Sequence, residues 1–121
     1  MAMMKCIKVR PGCPAAETEI DDSLNSLQRF VDGYIEITYP FDDDVIVIGN
    51  EEAKLLGMQG NRRINGEIYA GSLLLVGDDH EGGLRSLTDE ETAKYLELFK
   101  EPEEISDDEV QNDIGFRFFC F

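Results

Sequence analysis

The chain has 121 residues, 42% of them hydrophobic, which supports one buried core and argues against wholesale disorder. Its 26 Asp and Glu against 11 Lys and Arg give a formal charge of −15, where small domains usually sit at a magnitude of roughly 2 to 8. The scattered cations argue against direct binding of nucleic-acid phosphates, and no apolar run reaches the roughly 18 to 20 residues of a membrane span. Residues Met1 to Arg10 lack the apolar segment of an export signal, so a cytoplasmic protein is expected.

Lys5 to Arg10 alternate polar and apolar, which predicts a half-buried strand. Pro11-Gly12-Cys13-Pro14 turns the chain, and Glu17 to Ile20 are expected to pair back on that strand. Asp21 and Asp22 are candidate N-caps for a helix with Leu24, Leu27 and Val31 on one face, stopped at Asp32-Gly33. Tyr34 to Tyr39 and the wholly apolar Val45 to Ile48 predict a hairpin whose second strand is covered on both faces. Its tip is Pro40 to Asp44. Glycine and asparagine punctuation from Gly49 to Gly66 reads as loops with one short helical turn.

Ser72 to Val76, flanked by Gly71 and Gly77, is the next buried strand. Thr88-Asp89-Glu90-Glu91 is a capping-box pattern, opening a helix with Tyr95, Leu96 and Phe99 on its apolar side. Seven acids and no cation from Glu101 to Asp113 read as a solvated connector after a domain of residues 1–100. Ile114, Phe116, Phe118 and Cys120 alternate as in a strand, so residues 114–121 are expected to extend the sheet. That strand would lie in the same chain or in a second copy, giving a homodimer. The order predicts a small α+β domain with a mixed, mainly antiparallel sheet and two short helices.

Catalytic chemistry is thinly represented. Cys6, Cys13 and Cys120 have no metal-ligand spacing and read as reduced thiols. The single histidine, His80, lies among Asp78, Asp79 and Glu81 between glycines, a pattern that reads as a solvated turn. No Walker loop, nucleophile elbow or dinucleotide fingerprint is present, so no enzyme, metal or cofactor is expected. Gly57 to Arg63, with Asn50, Glu52, Asn61, Arg62 and Arg63, is the best candidate for a nucleotide or other anion. The preferred reading of that cluster is structural, with Arg62 pairing with Glu51 or Glu52 to pin the fold.

Gly33-Tyr34-Ile35-Glu36, Asn50-Glu51-Glu52-Ala53-Lys54-Leu55-Leu56-Gly57, Asn61-Arg62 and the strand after Ala70-Gly71 occur in a characteristic order. In these pieces the chain, over roughly residues 4 to 100, resembles the domain of unknown function 3846 family, small proteins of phages, plasmids and integrative elements. Ala53 stands where that family is expected to carry glycine, and the phenylalanine-rich tail lies outside the resemblance. The resemblance implies a mobile-element setting in a bacterial cell and hands over no catalytic residue.

Carboxylates spaced on a rigid surface can occupy arginine-lined grooves built for phosphates. The candidates are Asp42, Asp43 and Asp44, then Asp78, Asp79 and Glu81, then Glu101, Glu103 and Glu104. The leading expectation is a host-defence antagonist. It would block a basic, nucleic-acid-binding nuclease of a restriction or CRISPR system by protein–protein binding or DNA mimicry. The alternatives are a domain that sequesters a nucleotide signal and a non-catalytic interaction module.

Overall fold

The computed structural model describes the backbone of residues 3–119 and the side chains of residues 3–113. The alternating N-terminal segment forms β1 (Met3–Val9), and β2 (Ala16–Asp21) returns antiparallel to it. Helix α1 (Leu24–Val31) follows, then β3 (Ile35–Thr38) and β4 (Val45–Asn50), joined as the expected hairpin. A separate ribbon, β5 (Gly60–Ile64) and β6 (Glu67–Ala70), precedes β7 (Leu73–Asp78) and the short β8 (Leu84–Arg85). Helices α2 (Asp89–Leu98) and α3 (Asp107–Phe119) come last. The main sheet runs β2-β1-β7-β4-β3 with β8 on β7, and every described strand pair is antiparallel. This is the small α+β fold with a mainly antiparallel sheet.

β4 and β7 are apolar throughout because the sheet is covered on both faces. On one face Met4, Cys6, Ile46, Ile48, Leu74 and Val76 pack under Leu27 and Val31 of α1. On the other, Ile7, Val45, Val47 and Leu75 meet Leu87, Tyr95 and Phe99 around α2. Each such side chain, fully buried, contributes about 1.5 to 3 kcal/mol before the entropy of ordering it. A smaller cluster of Ala53, Ala70, Ile105 and Val110 docks α3 and its lead-in on the β5–β6 ribbon.

Several expectations are corrected. The N-cap of α1 is Ser23, whose hydroxyl accepts the Ser26 amide at 3.2 Å, while Asp21 accepts the Ser23 amide. Leu24 is 55% exposed, so Leu27 and Val31 carry the buried face. Asp32 itself takes the left-handed angle that ends the helix, at φ 62°. The segment expected as loops contains β5, which turns into β6 at Asn65-Gly66 with both residues at positive φ, a preferred two-residue hairpin sequence.

The acidic connector and apolar tail are also different. Ser106 and Glu109 cap each other reciprocally, starting a third helix where a connector was expected. Over 114–119 the backbone is helical, so the added strand, in this chain or a second copy, is not formed there. The remainder of that expected strand, residues 120–121, lies outside the described residues.

Candidate functional site

The antiparallel register of β4 and β7 sets Val45 opposite Gly77, bringing two acidic turns together at one end of the sheet. The Asp78 amide donates to the Asp44 carbonyl at 2.8 Å, and His80 Nε2 lies 2.7 Å from Asp44 Oδ1. Asp42, Asp43 and Asp44 therefore adjoin Asp78, Asp79 and Glu81, although more than thirty positions separate the groups in sequence.

These carboxylates do different work. Asp43 Oδ2 accepts from the Tyr95 hydroxyl at 2.6 Å and from Lys94 at 3.1 Å, and its Oδ1 accepts the Val45 amide. Burial pushes the Asp43 carboxyl up, but the bonds from Tyr95, Val45 and Lys94 outweigh it and hold the group below its ordinary range. Asp79 Oδ1 accepts the amides of Glu81 and Gly83, which lowers its carboxyl and closes the turn. Asp78 accepts the His80 amide. Asp42, Asp44 and Glu81 are exposed.

The third acidic group belongs to another surface. Glu103 pairs with Arg63 at 3.2 Å, and Glu109, absent from the candidate set, pairs with the same guanidinium at 2.8 Å. Glu101 and Glu104 are exposed on the lead-in to α3.

The candidate anion loop is rebuilt by the fold. Arg62 lies in β5, is 1% exposed, and reaches neither Glu51 nor Glu52. Its guanidinium donates to the carbonyls of Cys13 (2.6 Å), Phe99 (3.0 Å) and Asn61, and to Asn61 Oδ1. Burial draws this guanidinium below its usual value, partly offset by the nearby Glu103 carboxylate. Asn61 Nδ2 donates to the Val9 and Gly71 carbonyls, tying the ribbon to the main sheet.

Asn50 Nδ2 donates to the Val31 and Asp32 carbonyls at the end of α1, and its Oδ1 accepts the Glu52 amide. Asn50, Asn61 and Arg62 thus join elements. Arg62 has no free edge to offer a phosphate, apart from Nε, which lacks a hydrogen-bond partner among the described residues.

A feature the sequence did not announce is a cleft of about 220 Å³ between the β3–β4 hairpin and β6. Its lining includes apolar Ala70 and Leu73 and the acidic Glu36, Glu51 and Glu52. Gly49 also lines it, with the Leu73 side chain packed close against its backbone.

Among the described residues, no group of three or more His, Cys, Asp or Glu is arranged to hold a metal ion. No described helix is long and apolar enough to cross a membrane. No curated protein and no solved structure matches the chain. The family model described as "Domain of unknown function (DUF3846)" matches residues 4–100, and the chain belongs to that family.

Proposed function

We propose that this protein is a non-catalytic, acidic binding domain of a bacterial mobile element. It acts in the cytoplasm by occupying the phosphate-reading surface of a host defence nuclease. The observation that carries this reading is the meeting of the two acidic turns at one end of the sheet, tied together through Asp78 and Asp44. Preorganised carboxylates meet arginine-lined grooves without the entropy cost of ordering a flexible tail, and a charge of −15 speeds the encounter. Bidentate arginine–carboxylate contacts resemble those arginine makes to phosphate.

Asp42, Glu81 and Asp44, whose Oδ1 also meets His80, are the exposed groups for this task, whereas Asp43 and Asp79 are committed to holding the turns. The test is competition. Restriction enzymes and guided nucleases from bacterial hosts are loaded with labelled duplex, and the chain is titrated in at several salt concentrations. Displacement of duplex, weakened at least about tenfold and made less salt-dependent in Asp42→Asn/Asp44→Asn/Glu81→Gln, is the expected result. A folded wild-type chain that displaces duplex from none of them, or a triple variant that competes equally, overturns the reading.

A further inference from the structure

Lys5, Lys54, Arg63, Arg85, Lys94 and Lys100 each pair with a carboxylate, and Arg62 is held by carbonyl oxygens. The remaining cations whose side chains are described are Lys8, Arg10 and Arg29, and none pairs with a carboxylate among the described residues. All three line one open cleft of about 350 Å³, formed by β1, β2 and α1. Acids outnumber cations more than two to one, yet these three share a cleft with a single acid in its lining.

The local structure explains the grouping. Lys8 follows Met4 and Cys6 at two-residue steps on the α1 face of β1, and Arg10 continues that side just past the strand. Arg29 lies in the last turn of α1. Arg10 is set in place by the Phe30 ring, 4.8 Å from its guanidinium carbon, and by a 3.4 Å bond to the Ser72 hydroxyl. Thr18 and Ser26 add hydroxyls to the lining, and Glu19 is its one acid.

We propose that this cleft binds a compact, phosphate-bearing small molecule. Three cations and the Thr18 hydroxyl on a concave surface match the charge and acceptor oxygens of a phosphomonoester, while the Ser26 hydroxyl donates to Asp21. The size of the site and the negative field of the rest of the molecule favour a small anion over a polyanionic nucleic acid, which the acidic surface would repel. This site lies apart from Arg62 and owes nothing to the acidic end of the sheet.

The test titrates inorganic phosphate and adenosine 5′-monophosphate into the full chain, followed by calorimetry and by amide NMR shifts at β1, β2 and α1. Saturable binding is expected, with shifts centred on Lys8, Thr18 and Arg29. Equal affinity for the two probes assigns recognition to the phosphate group alone, and tighter nucleotide binding adds contacts to the nucleoside. Arg29→Gln should weaken binding about tenfold, and Arg10→Gln/Arg29→Gln should abolish it. Arg29 is exposed on a helix surface, so its single variant keeps the fold should loss of the Arg10–Phe30 contact disturb the double variant.

Asp42→Asn/Asp44→Asn/Glu81→Gln must bind as the wild type does, which separates this proposal from nuclease competition. Absence of saturation for both probes at millimolar concentration overturns it. So does binding that survives Arg29→Gln unchanged.

Discussion

Arg62 holds together segments that meet only in the folded chain, because its guanidinium bonds carbonyls at positions 13, 61 and 99. Arg62→Ala removes every one of these donors and unties the three segments, although the Phe99 carbonyl keeps its bond from the Ala15 amide. We expect it to cost about 3 kcal/mol or more in urea denaturation, and Arg62→Lys about 2 kcal/mol, since one ammonium cannot span the same acceptors. Asp43 offers a second residue-scale test. Its carboxyl is depressed in the folded state, so the stability it contributes is present above the unfolded value, about 3.9, and is lost as pH falls through the folded value. Tyr95→Phe should therefore cost about 1 kcal/mol at pH 7 and progressively less as the solution is acidified below about pH 4. Thermal melts of both proteins from pH 7 to pH 2 check the convergence.

At the scale of elements, two helices begin with the same device. Thr88 and Glu91 cap α2 reciprocally, and Glu91 also takes a two-pronged contact from Arg85 at 2.8 and 2.9 Å. Ser106 and Glu109 repeat the capping pattern for α3, with Arg63 gripping Glu109 from the ribbon. The first pattern is conspicuous because an apolar face follows it. The second is masked by the acids around it, so the segment reads as solvated although Ile105 and Val110 are buried.

Gly60 makes that docking close: a Cβ there would lie 2.7 Å from Ile105 Cβ, which cannot swing aside. Gly60→Ala should destabilise by about 1 to 3 kcal/mol. Val110→Asp should release α3 from the ribbon, seen as new protease cleavage between residues 100 and 110 with the main sheet's circular dichroism retained. A variant that resists cleavage as well as the wild type would show that α3 is held by contacts other than this cluster.

The molecule as a whole is polarised. Two acidic turns share one end of the sheet, while the cations that pair with no carboxylate among the described residues share the cleft under α1. A charge of −15 also opposes compaction, because like charges are closer in the folded chain than in the unfolded one. Screening relieves that repulsion over about 10 Å at 0.1 M salt. Raising sodium chloride from 20 to about 500 mM should therefore raise the melting temperature by several degrees in calorimetry. Lys8→Glu/Arg29→Glu should steepen that salt dependence, since it adds four negative units without removing an ion pair. A melting temperature that falls with salt would mean that the surface ion pairs outweigh the repulsion.

Strands β1, β4 and β7 and helices α1 and α2 were legible in the sequence because their signals are local: alternation, an unbroken apolar run, a capping box. The β5–β6 ribbon was not, because its buried positions include Asn61 and Arg62, which no hydrophobic pattern marks; only Asn65-Gly66 signalled its turn. Residue types alone nominated Asp42 to Asp44, Asp78 to Glu81 and Arg62, but their partners are set by contacts between distant segments. The β4–β7 register decides that the two acidic turns meet. The packing of β5 against the first turn and the end of α2 decides that Arg62 binds carbonyls instead of a carboxylate. Lys8, Arg10 and Arg29 drew no notice in one dimension. They become a group only when α1 lies across β1, because charge is carried by each residue whereas its neighbours are supplied by the fold.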